Sequence, residues 1–262
     1  VGGWTGTQGA FDVGASIEAL QKQSQAFKEL DSRRATGFRI QDYVAKLAFR
    51  SKAGAARPQS LELKLQYSDE DSDETYLGLA LDDFRADPYR RYRASQLDNM
   101  QVEHETWQAT HRIDFTPSVG LTTLAYYTST ARAWYKLNDV RNAADTGYVS
   151  LSTILADPAA YQVEYAALVG EPGTSSAAGA LRVRNNSREY YAAGIQSVLA
   201  VGFDAGSARH ELELSARYHQ DEEDRFQNDD RYQMVDGTML LTSAGAPGRA
   251  GVREPGRGDM ST

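Results

Sequence analysis

The 262-residue chain contains no cysteine. That excludes a disulfide scaffold, thiol chemistry and any cysteine-based metal site. It also has no long hydrophobic run. The longest stretch without a charge, residues 115–131, includes Pro117, Gly120 and seven Ser or Thr, so no transmembrane helix is expected. No signal peptide is read at the N-terminus, which begins at Val1 and not Met. Excess basic charge is missing as well: 28 Lys and Arg stand against 36 Asp and Glu, a net charge of -8. Nucleic acid is therefore not expected as a partner. Hydrophobic residues at 41% and charged residues at 24% exclude wholesale disorder. What the chain has in plenty is tyrosine: fifteen, against eight Phe and three Trp. Such an excess is common in β-proteins, interfaces and the aromatic girdles of membrane barrels.

Alternation with a period of two dominates the pattern. Leu61, Leu63, Leu65 and Tyr67 sit between Glu62, Lys64, Gln66 and Ser68, giving one apolar and one polar face. Tyr43, Ala45, Leu47 and Phe49 repeat the pattern, as do Leu212, Leu214, Ala216 and Tyr218. The run Tyr191, Ala193, Ile195, Ser197, Leu199, Val201, Phe203 is longer still. Similar segments cover residues 12–24, 101–115, 121–136 and 231–242, eight strands in all. Most exceed the ~5–6 residues usual in globular sheets. Short connections, residues 51–59, 116–120 and 204–208, alternate with long ones, residues 25–36, 69–100 and 137–187. Tight turns at one end and long loops at the other are the pattern of an outer-membrane barrel, with short periplasmic turns and long extracellular loops.

The fold expected is all-β: a segment of an antiparallel transmembrane β-barrel over residues 1–242, with a Gly/Pro/Arg-rich loop or truncated tail at 243–262. Eight strands in about 240 residues is about 30 residues per strand, so a 22-stranded plugged transporter needs ~660 residues. The chain is thus expected to be a fragment of a larger barrel.

The segment SDETYLGLALDDF, residues 72–84, is followed by DPYRRYRASQLDNM, residues 87–100. Together they resemble the TonB-dependent outer-membrane receptors, specifically the ferric citrate receptor group, whose members carry a similar S-x-E-T-Y-L-G-L segment followed by P-x-R-R-Y-x-A-S-Q. The segments GASIEALQKQSQAFKELD at 14–31 and NSREYYAAGIQSVL at 186–199 are similar to the same group. The resemblance spans residues 14–236. It implies a 22-stranded barrel, a plug domain in the lumen that is absent from this chain, and energy delivered by TonB. It also implies uptake of a ferric chelate, ferric citrate first, at the bacterial outer membrane among lipid and lipopolysaccharide.

Candidate ligand-binding residues are Tyr89, Arg90, Arg91, Tyr92 and Arg93, in an expected external loop. Ferric dicitrate is anionic and arginine pairs with carboxylates through two parallel hydrogen bonds. The competing reading has these arginines neutralising Asp82, Asp83, Asp87 and Asp98, or touching lipopolysaccharide phosphates. The acidic run from Asp69 to Glu74 imitates the opening of a calcium loop but has Glu74 and Ala80 where Gly and Glu belong, so a solvated loop is expected. His104 and His111 should point to opposite faces of one strand, and no metal ligation is expected. No cofactor is implied beyond the transported chelate. No nucleophile elbow, P-loop or dinucleotide fingerprint occurs, so enzymatic activity is not expected. Trp4, Trp107 and Trp134 read as girdle or lumen aromatics. A passive porin and a soluble all-β carbohydrate-binding protein stay open as alternatives.

Overall fold

The computed structural model describes residues 1–26 and 28–245. Twelve strands follow the chain: β1 (Gly2–Gln8), β2 (Phe11–Ser24), β3 (Glu29–Leu30), β4 (Phe38–Ser51), β5 (Gln59–Ser72), β6 (Arg90–Arg91), β7 (Asn99–Thr116), β8 (Val119–Arg141), β9 (Tyr148–Ser150), β10 (Leu181–Ala205), β11 (Ala208–Val235) and β12 (Thr238–Ser243). Three short helices join them: α1 (Leu81–Ala86), α2 (Leu151–Ala156) and α3 (Gln162–Val169). All but β3 and β6 lie in one sheet, whose strands run antiparallel in the order β1, β2, β4, β5, β7, β8, β10, β11, β12, with β9 beside β8. The sheet is a chain of neighbouring hairpins and does not close on itself among the described residues. It is an open wall of antiparallel barrel strands.

The connections alternate as the sequence leads one to expect. Hairpins turn tightly between β1 and β2, β7 and β8, and β10 and β11, and over residues 52–58 between β4 and β5. The long connections, residues 25–37, 73–98 and 142–180, leave from the opposite end. At that same end β11 and β12 are joined by Asp236 (φ 46) and Gly237 (φ 77). Successive positive φ angles at an Asp-Gly pair match the right-handed twist of the strands they join.

Strand register places the alternating residues in continuous rows. Ile17, Ala45, Leu65, Trp107, Tyr127 and Ala193 are successive cross-strand neighbours. So are Ala15, Leu47, Leu63, Ala109, Ala125, Ile195 and Tyr218. Among the described residues no other layer packs on this apolar band: Ile17 is 65% exposed, Trp107 51% and Tyr218 69%. On β2 it runs from Phe11 to Ala19, nine residues, within the ~9–11 that a tilted strand needs to cross a bilayer. Tyr43, Tyr67 and Tyr191 border it on the side of the long connections, and Phe11, Phe49 and Phe203 on the other. The opposite face carries Lys46, Lys64, Gln108, Tyr126 and His219 in a single row interrupted by Gly194.

The buried core lies elsewhere. Beyond the band, β8, β10 and β11 project far past their neighbours and the long connections fold onto them as a cap. Leu137, Val140, Leu181, Val183 and Met234 from the strand tips pack against Leu77, Tyr92, Ile154, Leu168 and Met239. The odd-numbered residues of β8 and β10 that bury here continue the apolar-band face, so the cap sits on that side of the wall. No helix among the described residues is long and apolar enough to cross a membrane.

Several expectations need correction. The strands expected at 212–218 and 231–242 are not separate: β11 runs unbroken for 28 residues, and the segment 231–242 is the end of β11, a turn and β12. Strand β1 adds a member that its Gly-rich sequence conceals. The run from Asp69 to Ser72 is no solvated loop; it continues β5, hydrogen-bonded to β4 and β7 on its two sides. The tail expected at 243–262 begins inside β12 at Ser243, and residues 246–262 lie outside the described part.

Candidate functional site

Helix α1 is too short to be stable alone, and its N-cap residue, Ala80, offers no side-chain oxygen. The cap supplies the missing partner. The Tyr92 hydroxyl accepts a hydrogen bond from the Ala80 backbone N–H at 3.0 Å and donates to the Asp83 carboxylate. Tyr165 of α3 donates to the same carboxylate oxygen. Arg90 bonds the other Asp83 oxygen at 3.2 Å and grips Asp31 through Nε and Nη2 at 3.0–3.2 Å. One chain of contacts thus ties all three long connections together. Burial disfavours ionisation of Asp83, but the hydroxyls of Tyr165 and Tyr92 and the Arg90 guanidinium outweigh it and hold the carboxyl below its ordinary range. Burial and the Asp83 bond in turn push the Tyr92 hydroxyl up.

The five candidate residues therefore separate. Tyr92 is fully buried. Arg90 is committed to two carboxylates. Arg91 donates to the backbone oxygen of Pro88 at 3.1 Å. Tyr89 is 60% exposed and within 5.9 Å of the Lys28 ammonium. Arg93 donates to the Gly170 carbonyl at 3.1 Å and borders a cavity at the tip of the β11–β12 hairpin. The structure does not gather the five into one constellation.

The same holds for the rest of the motif. Leu77, Tyr92 and Ala94 are core residues, and Gln96 bonds the Gly237 carbonyl at 3.1 Å. Asp98, 4% exposed, accepts the backbone N–H groups of Leu137 at 2.9 Å and Tyr76 at 3.2 Å. Burial pushes its carboxyl up to about 7, while the Leu137 and Tyr76 N–H groups and the Lys136 charge pull the other way. Tyr76 stands edge-on to Trp134 at 4.6 Å, and burial, reinforced by Glu74, pushes its hydroxyl up to about 12.

A different constellation, invisible in the linear sequence, lies on the polar face just beyond the apolar band. Arg132 of β8, Arg188 of β10 and Arg225 of β11 are direct cross-strand neighbours. Like charges opposed across a sheet destabilise it, so three in a row is costly unless an anion joins them. Arg188 has Glu223 at 3.2 Å, but among the described residues Arg132 and Arg225 are in no salt bridge. The Nε atoms of Arg132 and Arg188 are buried without a hydrogen-bond partner. One step further from the band, the Trp134 ring carries the Arg132 guanidinium at 5.4 Å on one side and the Lys136 ammonium of the next row at 4.4 Å. In that next row Arg184, the cross-strand neighbour of Lys136, pairs with Asp229 at 2.7 Å, and beyond it Arg182 pairs with Asp139. The polar face at this level is thus cationic, with aromatic support.

The histidines do not gather. His104 bonds Thr130 and Thr106 on the polar face, His111 bonds Gln59 on the other, and His210 stacks on Phe203. No group of metal-ligating side chains occurs among the described residues. A hollow of about 830 Å³ lies on the apolar band between Leu65, Trp107, Tyr127, Ile195 and Tyr218, with no set of convergent polar groups.

No family model matches the chain, and no curated protein matches it. Among solved structures, the ferric citrate transporter FecA in its unliganded form is similar over 96% of this chain and 31% of that one, with a TM-score of 0.46 and 16% identity. The chain spans about a third of the length of that transporter. A similarity of this degree says nothing about the ligand.

Proposed function

We propose that this chain is part of the wall of an outer-membrane transporter that takes up an anionic ferric chelate, ferric citrate being the preferred member. The observation that carries the reading is the row Arg132, Arg188, Arg225 on the polar face, directly above a band whose opposite face is apolar and open. With that band in lipid, the arginine row lies on the lumen side at the outer mouth. There its forks suit carboxylates of the chelate, and its field raises the rate of capture. The chemistry is recognition and release, with no bond made or broken. Following the family resemblance, release is driven by TonB acting through a plug domain that another part of the protein supplies. The motif at residues 72–100 serves as the packed cap that braces the tips of β8, β10 and β11 behind the row.

The test is ferric citrate binding to the detergent-purified full-length protein, comparing wild type with R225A and R188A. Arg225 is exposed and holds no salt bridge among the described residues, so its loss should spare folding. Each variant should bind ferric citrate ~10-fold or more weakly, as losing one charge-assisted contact worth ~1.5–3 kcal/mol requires. Unchanged affinity in both would reject the row as the chelate site. Non-saturable passage of small anions would instead favour a passive pore.

A further inference from the structure

The cap holds a second cationic cavity, separate from the arginine row. It has a volume of about 340 Å³ and is bordered by Arg33 and Arg34 of the first long connection, by Arg93 and Gln96, and by the hairpin tip Asp236, Gly237 and Thr238. Of its two carboxylates, only Asp31 is ion-paired. Asp31 is held by Arg90 from outside the cavity, and Asp236 accepts the Gly173 N–H at 2.7 Å. Among the described residues none of the three arginines forms a salt bridge; Arg34 is felt at a distance by Asp73. The Ser32 hydroxyl, also on the cavity wall, is buried without a partner.

The frame is rigid where it needs to be. Gly237 at the tip has φ 77, a left-handed conformation that favours glycine, and a Cβ there would come within 2.9 Å of the Arg93 Nε. Gln96 is fixed by three bonds: its amide nitrogen donates to the Arg93 and Gly237 carbonyls at 2.8 and 3.1 Å, and its oxygen accepts the Met239 N–H at 3.3 Å. Arg33 adopts a left-handed conformation (φ 60), uncommon for an arginine, which its N–H bond to the Leu30 carbonyl at 2.7 Å stabilises.

We infer that this cavity binds a phosphate-bearing anion, with Arg33, Arg34 and Arg93 as its ligands. Three arginines without a salt bridge, against the one carboxylate of Asp236 that no cation pairs, leave the cavity net cationic, and guanidinium forks suit the oxygens of a phosphate monoester or pyrophosphate. The hairpin tip lies far along β11 past Tyr218, the last residue of the apolar band on that strand, so at ~3.3 Å per residue the cavity stands well clear of the hydrocarbon under the membrane reading above. A soluble phosphate ester is then the source within reach. That choice of source rests on the proposed function; the anion site itself does not.

The experiment uses the full-length detergent-purified protein and two probes: inorganic pyrophosphate by calorimetry, and nanodiscs containing a phosphomonoester lipid against nanodiscs of zwitterionic lipid only. Wild type should bind at least one phosphate probe, and R33A and R34A, both at exposed positions, should each weaken that binding ~10-fold while leaving ferric citrate affinity unchanged. Binding of pyrophosphate alone would support the site and assign it to a soluble anion, the source expected. Preference for the phosphomonoester nanodisc would assign it to lipid. Binding of neither probe, or binding that R33A and R34A leave intact, would overturn the inference. Loss of ferric citrate binding in the same variants would also overturn it, since the cavity would then belong to the chelate path.

Discussion

Removing the Asp83 carboxylate should open the cap without unfolding the wall. In D83A the Tyr92 and Tyr165 hydroxyls and one side of Arg90 lose their shared acceptor. Hydrogen bonds to a charged group contribute ~1.5–3 kcal/mol each, but the Asp83 side chain is 26% exposed and the three bonds are coupled. Water can replace part of what is lost, so the net loss is expected at about 2–3 kcal/mol. That corresponds to a roughly 30- to 150-fold rise in the population of the opened cap. Native-state hydrogen exchange of the amides in α3 reads it directly, with the β4–β5 hairpin as the internal control. Tyr92 and Tyr165 provide the second check. Y165F removes one donor, whereas Y92F also strips the buried Ala80 N–H of its acceptor, so Y92F should open the cap more. Unchanged α3 exchange in D83A, or a larger effect of Y165F than of Y92F, would refute the reasoning.

The pH dependence of the cap should have two limbs. Asp83, held below its ordinary range, contributes stability that is present above the unfolded carboxyl pKa and disappears as pH falls through the depressed value. Asp98, raised to about 7 by burial, acts in the opposite sense: the folded cap holds its proton while the unfolded chain has lost it, so stability falls as pH rises from about 4 to about 7. A shift of that size is about 4 kcal/mol at its limit. The rise in cap opening over this range, followed by limited proteolysis, should flatten in D98N; an unaltered profile would count against the assignment. In the wall, Gly194 is predicted to resist substitution. A Cβ there would meet the Tyr126 hydroxyl at 2.6 Å and the backbone oxygen of Tyr218 at 2.8 Å. The carbonyl cannot step aside without breaking the pairing of β10 with β11, so G194V should lower the yield of folded, gel-shifting barrel, whereas Y126F should not. Within the cap, L168A removes a fully buried side chain and should reduce cap protection by ~2–5 kcal/mol while sparing the β4–β5 hairpin.

The wall was legible because one face of each strand is apolar while the other is polar, and the period of two survives in Leu61 to Tyr67 and in Tyr191 to Phe203. It fades where strands leave the band. Asp221, Glu222, Glu223 and Asp224 are polar on both faces, so the middle of β11 reads as a connection although it pairs residue for residue with β10. Strand tips show a different failure. Tyr135 and Leu137, like Leu181 and Val183, do alternate, and Val140 joins their face across a register shift, but what they bury against is the cap, whose helices of six and eight residues are too short for a 3.6-residue period to register. The motif at residues 72–100 is specific for a packing reason: Leu77, Tyr92, Ala94, Gln96 and Asp98 each have one place in the cap. Arginine density pointed to Arg90, Arg91 and Arg93, whereas the cationic row needs strand register to be seen, since Arg132, Arg188 and Arg225 lie far apart in the chain.

The central claim is that odd positions of β5 and β7 face lipid while even positions face water. This chain has no cysteine, so single cysteines placed in it report on chosen positions once any cysteine elsewhere in the protein is replaced. Single cysteines at Leu63, Leu65, Trp107 and Ala109, and at Glu62, Lys64, Gln66 and Gln108, can be spin-labelled in the full-length protein in bilayers and probed with oxygen and a water-soluble nickel chelate. The account predicts a period of two: oxygen dominates at the first set, the nickel chelate at the second, and the two swap at every step along each strand. Equal nickel access at both sets would describe a sheet wet on both faces, and burial of the first set from both reagents would describe a soluble core. Either result would contradict the membrane wall.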